Sequence, residues 1–283
     1  MNGILLVDKP ADWTSNDVVQ KLRGILHEKR IGHAGTLDPM ATGLLTVFVG
    51  RATRAVEFAE QDNKRYLAGL RLGLVTDTQD ITGTVLKNVD IHISASEIDT
   101  VLSSFQGKIS QIPPMYSAVK IHGQRLYKLA REGKTIPRAP REIEIEQLKV
   151  LSYDRNQLIM DIICSKGTYI RTLCHDIGDA LGCGGCMSSL RRVQAGLFSV
   201  TEANTLDDII RGDFKILPVD TLFQNYPRIF LRERDEKRIR NGGTIHSDYE
   251  NGNYRLYSLS GEFLALGSAH DHIITTVKSF FER

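Results

Sequence analysis

The hydrophobic positions of the chain follow two periods, one typical of strands and one typical of helices. Short apolar runs and alternating segments predict strands at 4–7, 44–49, 64–73, 143–150 and 158–164. Amphipathic segments with a 3.6-residue period lie between them and predict helices. This mixture indicates an α+β protein in which helices flank a central sheet.

Capping signals mark where the predicted helices begin. Thr14 or Ser15 can cap the first helix, and Ser94 opens a capping box before the second. Thr168 is placed to cap a third helix, whose first turn contains Arg171. A positive charge there is not favoured by the helix dipole. This misfit predicts that Arg171 has a carboxylate partner.

Residues 108–141 depart from this pattern. They hold four of the chain's eight prolines and a predicted basic helix near 124–132 that Gly133 ends. Between 105 and 145, eight lysines and arginines face three glutamates, an excess of five, whereas the whole chain carries +2. A basic patch with interleaved tyrosines suits an RNA backbone. A solvated charged face is the alternative.

Bulk composition is that of an ordinary soluble globular protein, with 41% hydrophobic and 25% charged residues. The N-terminal apolar run is too short for a signal peptide, and no stretch approaches ~20 apolar residues. We therefore expect a cytoplasmic location. Cys183 and Cys186 have the spacing of a metal knuckle or a redox pair, but reduced, buried thiols are the favoured interpretation.

The chemically distinctive stretch runs from residue 32 to residue 50. Asp38 is its only carboxylate, Pro39 biases the preceding backbone away from the α region, and the glycines permit tight turns. An acid on a glycine-rich loop beside a buried strand is a common way to build a reactive site. A plain Asp-Pro turn is the alternative.

The string GHAGTLDPMATGLL, at 32–45, resembles the catalytic motif of the TruB family of tRNA pseudouridine synthases. KRYLAGLRLG, TDTQD, IPPMYSAVKIHGQRLYKLAREG and CSKGTYIRTLCHDIG resemble further elements of that family. The resemblance covers about residues 3–200 well. The tail YRLYSLSGEFLALGSA is more loosely similar to the end of a PUA-type RNA-binding module.

The resemblance implies a pseudouridine synthase fold with a central mixed, largely antiparallel sheet. It divides the chain into a catalytic domain at 1–224, with an RNA-clamp insertion at about 108–141, and a small β-rich PUA-like domain at 225–283. It also implies the isomerisation of the uridine at position 55, in the T loop of tRNA, to pseudouridine. No cofactor and no metal are expected.

The resemblance implies that Asp38, Tyr66 and Arg171 are the catalytic residues. Asp38 would act as nucleophile or base, Tyr66 would stack on the flipped base, and Arg171 would keep Asp38 ionised by lowering its pKa. His33 would be a wedge that stacks into the space that the flipped base leaves, and a hydrogen-bonded loop histidine is the alternative. The full set of expected substrate-binding residues is Lys9, His33, Gly35, Thr36, Lys64, Arg125, Lys128, Tyr169 and Leu190.

The expected partner is the T stem-loop of tRNA, bound by a monomer without guide RNA and without a membrane. An RNA-binding scaffold is one alternative, but it would not need Asp38, Tyr66 and Arg171 together. A guide-dependent synthase is another, although such relatives carry N-terminal extensions or basic tails and lack the insertion. A metal-dependent nuclease would need clustered acids. The stand-alone enzyme is the favoured hypothesis.

Overall fold

The structure is a computed structural model that describes residues 1–121 and 123–282. Its strands are β1 (Gly3–Lys9), β2 (Ile31–Ala34), β3 (Thr42–Val49), β4 (Lys64–Leu72), β5 (Leu74–Thr76), β6 (Val85–Asn88), β7 (Gly107–Gln111), β8 (Lys120–Ile121), β9 (Gln124–Arg125), β10 (Arg141–Asp154), β11 (Gln157–Cys164), β12 (Gly185–Ala195), β13 (Phe198–Ser199), β14 (Arg228–Phe230), β15 (Ile245–His246), β16 (Gly252–Tyr257), β17 (Phe263–His270) and β18 (Ile273–Ser279).

The helices lie between these strands. They are α1 (Ser15–Leu26), α2 (Val56–Ala59), α3 (Ala95–Ser104), α4 (Leu126–Arg131), α5 (Ile170–Ala180), α6 (Leu206–Arg211) and α7 (Glu233–Arg240). Short 3-10 helices cover Gly50–Ala55, Val200–Glu202 and Val219–Phe223. Among the described residues, no helix combines the length and the apolar character that crossing a membrane requires.

The largest sheet runs in the order β1-β3-β12-β4-β11-β10-β7, with β2 added beside β3 and β13 beside β12. All neighbouring pairs are antiparallel except β12 and β3, which run parallel. The predicted α+β fold with a mixed, largely antiparallel sheet is confirmed. The parallel pair matters for function because it places β12 directly beside the strand that follows Asp38.

Alternation along the strands explains which side each helix covers. In β4, the residues at 66, 68, 70 and 72 are buried on one face, in a cluster shared with α3 and α5. In β1 and β3, one set of alternate residues packs on α1 and α6. The other set packs toward the C-terminal part of the chain. Both faces of this end of the sheet are therefore buried, which fixes the Asp38 loop on a rigid base.

The local capping predictions had different outcomes. Thr14 and Ser94 are the N-caps of α1 and α3, each in a complete capping box. The prediction that Thr168 caps α5 is wrong, because its hydroxyl donates to the carbonyl of Ser165 at 2.9 Å instead. Tyr169 occupies the N-cap position without a side-chain hydrogen bond of its own. The first turn of α5 is therefore held by other means.

The segment between β7 and β10, residues 112–140, protrudes from the sheet and is called the clamp below. It contains the β8–β9 pair and α4, and it includes residue 122, which lies outside the described residues. The predicted bounds of 108–141 were too wide, because 108–111 belong to β7 and Arg141 begins β10. β7 is a short edge strand with a polar outer face, so its apolar pattern is weak.

A second sheet, in the order β14-β16-β17-β18-β15, is built from residues 228–279. It is joined to the first through aromatic side chains. The ring centroid of Phe223 lies 5.3 Å from that of Phe58, 6.1 Å from that of Phe263 and 5.8 Å from that of Phe280. These rings belong to one buried cluster that also contains residues of β1 and β3. The two sheets therefore share a hydrophobic core.

Candidate active site

Asp38 lies in the loop that joins the antiparallel strands β2 and β3. Its carbonyl accepts a hydrogen bond from the backbone nitrogen of Ala41 at 3.1 Å, which closes a tight turn. Gly43 follows with φ at +98°, and a Cβ there would collide with the backbone of Arg192. Only glycine allows this approach between β3 and β12. About a third of the Asp38 side chain is exposed (34%), so a substrate can reach it.

Lys9 holds this loop from beneath. Its side chain is 0% exposed, and Nζ donates to the carbonyls of Pro10 (2.8 Å), Trp13 (2.6 Å) and Pro39 (3.1 Å). Burial lowers the pKa of Lys9 to about 8, against the opposing effect of the Asp38 charge. The prediction that Lys9 contacts the substrate is wrong, because its three donors are already used. It fixes the residue that follows Asp38 instead.

Lys64 is a similar case at the start of β4. It is buried, and its ammonium donates to the carbonyls of Glu60 and Asp62. Burial is also the largest cause of its lowered pKa. The expected contact of Lys64 with the substrate is therefore contradicted, and this residue closes the loop before β4.

Arg171 is the partner of Asp38, as the misfit at the start of α5 predicted. Its Nε lies 2.9 Å from Oδ2 of Asp38, and its Nη2 donates to Oδ1 at 3.2 Å. The same guanidinium donates to the carbonyls of Tyr116 at 2.7 Å and Thr78 at 3.2 Å, and lies 3.8 Å from Asp80. Arg171 is only 6% exposed. One buried fork thus fixes both carboxylate oxygens of Asp38.

The pKa of Asp38 is raised above its ordinary value, so the prediction of a lowered pKa is wrong. Burial in the cleft is the largest cause, and the charge of Asp80 acts in the same direction. Arg171 opposes both but does not outweigh them. The sequence showed the arginine but not the desolvation or the second carboxylate. A raised pKa makes Asp38 a stronger base than an ordinary aspartate once it is ionised.

Tyr66 lies in the middle of β4, paired with Ile162 on one side and Arg192 on the other. It is buried in the cluster that also contains Leu37 and Leu190, which places it beside the Asp38 loop. Burial raises the pKa of the phenol, with Arg192 acting in the opposite direction, so the hydroxyl keeps its proton at neutral pH. The ring is thus a buried, apolar neighbour of the Asp38 loop.

Arg192 is a residue whose role sequence reasoning missed. It is 1% exposed, and it donates from Nε to the carbonyl of Leu44 at 2.7 Å and from Nη2 to that of Gly35 at 2.9 Å. It therefore ties both ends of the Asp38 loop to β12. The preceding Arg191 forms a two-point pair with Asp8 at 3.0 and 2.7 Å. The sequence signal for this role was the pair of successive arginines on one strand. Successive strand side chains point to opposite faces of a sheet, so one of the two must point into the protein.

Comparison with known proteins decides the family. Residues 23–170 match the model described as TruB family pseudouridylate synthase, N terminal domain. Residues 171–224 match the tRNA pseudouridylate synthase B C-terminal domain. The chain belongs to the TruB family. Asp38 and Tyr66 lie in the first of these matched regions, and Arg171 is the first residue of the second.

Relatives match over nearly their whole length. The tRNA pseudouridine synthase B of Syntrophomonas wolfei is 43% identical, over 98% of this chain and 96% of that protein. The protein of the same name from Clostridium kluyveri is 39% identical, over 99% and 100%. A chain in a crystal structure of a Cbf5-Nop10-Gar1 complex aligns with a TM-score of 0.74 and 26% identity, covering 99% of this chain and 85% of that one.

The remaining residues expected to bind substrate in this TruB-family chain lie at two places. Gly35, with φ at +69°, and exposed Thr36 lie in the loop that carries Asp38, and Leu190 lies in the buried cluster that contains Tyr66. His33 is half-buried, and its Nδ1 has no partner among the described residues. Burial and then Arg192 lower the pKa of His33, so the imidazole is neutral at pH 7.

On the clamp, Arg125 and Lys128 are exposed, some distance along the chain from the cleft residues. Tyr127 lies between Arg125 and Arg131, whose guanidinium carbons are 6.0 and 5.6 Å from its ring centroid. Tyr169, at the start of α5, is held by backbone hydrogen bonds to Gln111. The expected residues thus fall into a largely buried group around Asp38 and an exposed basic group on the clamp.

The four cysteines of the TruB-family chain are buried and not disulfide-bonded. Burial raises the pKa of Cys186 to about 11 and also raises that of Cys174. Within residues 1–121 and 123–282, no group of three or more His, Cys, Asp or Glu side chains is arranged to hold a metal ion. Cys183 lies in the buried cluster that also contains residues of α5, and Cys186 is a buried residue of β12.

Proposed function

We propose that this chain isomerises the uridine at position 55, in the T loop of tRNA, to pseudouridine, without a guide RNA. The observation that carries the proposal is the two-point pairing of Arg171 with Asp38, which is one-third exposed beside the buried Tyr66 cluster. Membership in the TruB family supports the reaction class. The relatives that match at about 40% identity are named tRNA pseudouridine synthase B, which supports the substrate.

The reaction breaks the bond between C1′ and N1, turns the uracil and joins C1′ to C5. The proton on C5 is lost and N1 gains one, so the product is an isomer and no oxidant or cofactor enters the balance. A base stacked in a folded loop cannot expose its glycosidic bond. It must first be flipped into the cleft, at a cost of a few kcal/mol.

Asp38 starts the reaction, either by attacking C1′ or by removing a proton from C2′. Both routes require the ionised carboxylate, and the raised pKa makes that carboxylate more basic than an ordinary aspartate. Arg171 holds its two oxygens, so the reacting oxygen is aimed before the substrate arrives. Because the uracil is reused rather than released, a single carboxylate suffices.

Tyr66 and His33 have different tasks in this proposal. The phenol ring of Tyr66 stacks on the flipped uracil, and its retained proton is available as a hydrogen-bond donor. Neutral His33, beside the Asp38 loop, fills the space that the base leaves in the RNA stack.

The basic outer surfaces hold the tRNA. Arg125, Lys128 and Arg131 on the clamp contact phosphates, which set register rather than read bases. In the proposed PUA-like domain at 225–283, Arg234, Lys237 and Arg238 line a surface cavity of about 400 Å³, called the basic groove below. We propose that this groove contacts a second part of the same tRNA. The catalytic domain bounds of 1–224, the monomeric state and the cytoplasmic location stay predictions.

Guide-dependent synthesis is the second candidate, favoured by the fold. A structure titled as an H/ACA RNP bound to a substrate RNA aligns with a TM-score of 0.74, but at 24% identity. That identity supports a common fold alone. The relatives near 40% identity cover both this chain and themselves almost completely, which favours the stand-alone reaction on tRNA.

The test uses an unmodified tRNA transcript with tritium at C5 of its uridines, without guide RNA. Wild type should release about one equivalent per tRNA, and Asp38→Asn should release none while still binding tRNA. Asp176→Asn is the matched control, because burial raises the pKa of that carboxylate too but it lies outside the pair. No release by wild type despite tight tRNA binding would overturn the stand-alone function.

A further inference from the structure

The base of the clamp is bonded directly to the helix that carries Arg171. Gln111, the last residue of β7, is 3% exposed. Its side-chain amide bonds both backbone groups of one residue, Tyr169. The backbone nitrogen of Tyr169 donates to Oε1 at 2.8 Å, and Nε2 donates to the Tyr169 carbonyl at 3.1 Å. Gln111 thus pairs with Tyr169 as an additional strand residue would.

This pair of hydrogen bonds lies at the start of α5, which lacks a side-chain cap. Tyr169 is the N-cap of α5 and has no side-chain capping hydrogen bond, and its carbonyl accepts the helix bond from Leu173 at 3.0 Å. Caps normally satisfy the free backbone groups of a helix start and fix the entry of the chain. Gln111 satisfies one of these groups, the N–H of Tyr169, and fixes the entry of the chain from a different strand. Arg171 lies two residues further on, so its direction depends on this anchor.

The clamp also contacts the guanidinium of Arg171 directly. Tyr116 accepts from Nη2 of Arg171 at 2.7 Å, which is shorter than the bond from that nitrogen to Asp38. Between Gln111 and Tyr116, Pro113 and Pro114 are buried, and proline fixes the backbone. The segment from Gln111 to Tyr116 is therefore a stiff connection. One end is bonded to Tyr169, two residues before Arg171, and the other end is bonded to the Arg171 guanidinium.

We propose that Gln111 is a positioning residue for the reaction, acting through Tyr169 and Arg171 on the orientation of Asp38. The inference rests on the proposed function and extends it. Gln111 does not touch the substrate. It connects the start of the clamp to the Arg171–Asp38 pair. The position of the clamp and the orientation of the Asp38 carboxylate are therefore coupled.

The test compares the single-turnover rate of tritium release with the affinity for tRNA. Gln111→Met keeps the length of the side chain and removes both hydrogen bonds. Because a displacement of about 1 Å can cost on the order of 100-fold in rate, we expect a loss of about 10- to 100-fold. Affinity should change less than about threefold, since the phosphate contacts remain. Gln106→Met is the matched control, because Gln106 precedes the same strand and donates to Leu148 at 3.3 Å, away from the cleft.

Gln111→Glu is the conservative variant, and it also covers the case in which the methionine variant does not fold. It keeps the acceptor for Tyr169 and, when ionised, loses the donor, so its loss of rate should be smaller than that of Gln111→Met. Thermal melting verifies folding of each variant. Unchanged rates in folded Gln111 variants would overturn the inference while leaving the function intact, whereas an inactive wild type would count against the function itself.

A double-mutant cycle separates positioning from general weakening. If Gln111 acts through Arg171, Gln111→Met should cost much less rate in an Arg171→Lys background than in wild type, because the aimed fork is already lost. Equal losses in the two backgrounds would contradict the proposed route and overturn the inference.

Discussion

Replacing Arg171 by lysine tests whether aiming Asp38, rather than supplying a positive charge, is what the buried arginine contributes. Arg171 makes two contacts with the carboxylate, at 2.9 and 3.2 Å, and further bonds to the Tyr116 and Thr78 carbonyls. Lysine keeps the charge but presents a single point of contact. It therefore cannot hold both oxygens of Asp38 while bonding the two carbonyls.

The magnitude follows from the bonds lost. A hydrogen bond to a charged group contributes about 1.5–3 kcal/mol, and at least one such bond to Asp38 is lost. Since about 1.4 kcal/mol corresponds to a tenfold change in rate, we expect single-turnover tritium release to slow by about 10- to 150-fold. Affinity for tRNA should be nearly unchanged, because Arg171 is buried away from the phosphates.

The chain offers a matched control. Arg65 makes the same two-point contact with Asp161, at 2.8 and 2.7 Å, outside the cleft and with 43% of its side chain exposed. Because this pair does not contact Asp38 or Arg171, Arg65→Lys should leave the rate within about twofold. If Arg171→Lys and Arg65→Lys behave alike, the pairing with Asp38 is not a source of catalysis and the reasoning is refuted.

Three further predictions concern acidity, the loop and the basic groove. Activity should fall as pH drops through the raised pKa of Asp38, and a pH profile of single-turnover rates measures this fall. Asp80→Asn should move the acidic limb of the profile to lower pH, because it removes a charge that raises the pKa of Asp38. Lys9→Met leaves three partly buried carbonyls without their donor, at about 1 kcal/mol each, and denaturant unfolding should show a loss of about 3 kcal/mol. Neutralising the three cations of the basic groove should weaken tRNA binding and reduce its log–log salt slope by about 2–3, measured by filter binding.

Each of these predictions has its own control. Asp161→Asn should leave the acidic limb in place, since that carboxylate pairs with Arg65 outside the cleft. Lys21→Met, at an exposed position of α1, should leave the unfolding free energy within about 0.5 kcal/mol. The basic-groove variant should keep its single-turnover rate at saturating tRNA. An unchanged salt slope would remove the groove from the binding surface.

Local chemistry made part of this site predictable from the sequence. The capping boxes at Thr14 and Ser94 involve residues three positions apart, so they need no knowledge of the fold. Arg171 was expected to have a carboxylate partner because its place at a helix start is unfavourable for a cation. The Asp38 motif is long and irregular, and it pointed to the right family.

What the sequence could not show depends on contacts distant along the chain. Lys9 lies at the end of a strand, where a lysine is usually exposed. In the fold, the loops that contain Trp13 and Pro39 bury it and accept hydrogen bonds from its ammonium. The direction of the pKa shift of Asp38 depends on desolvation, which exists only in the folded cleft. Gln111 and Tyr169 lie 58 positions apart, and no local pattern links them. These contacts could not be predicted because the residues that form them are far apart in the sequence.

The aromatic packing around Phe223 has a consequence for which RNAs the chain accepts. Because Phe263 and Phe280 of the second sheet share one core with the first, the basic groove and Asp38 keep a constant separation. Two binding sites at a fixed separation can both be occupied only by an RNA whose contact points are the same distance apart. If the groove binds tRNA as proposed, a tRNA whose arm is lengthened by one base pair would reach the groove or Asp38 but not both, and the chain would select its substrate by length rather than by base sequence.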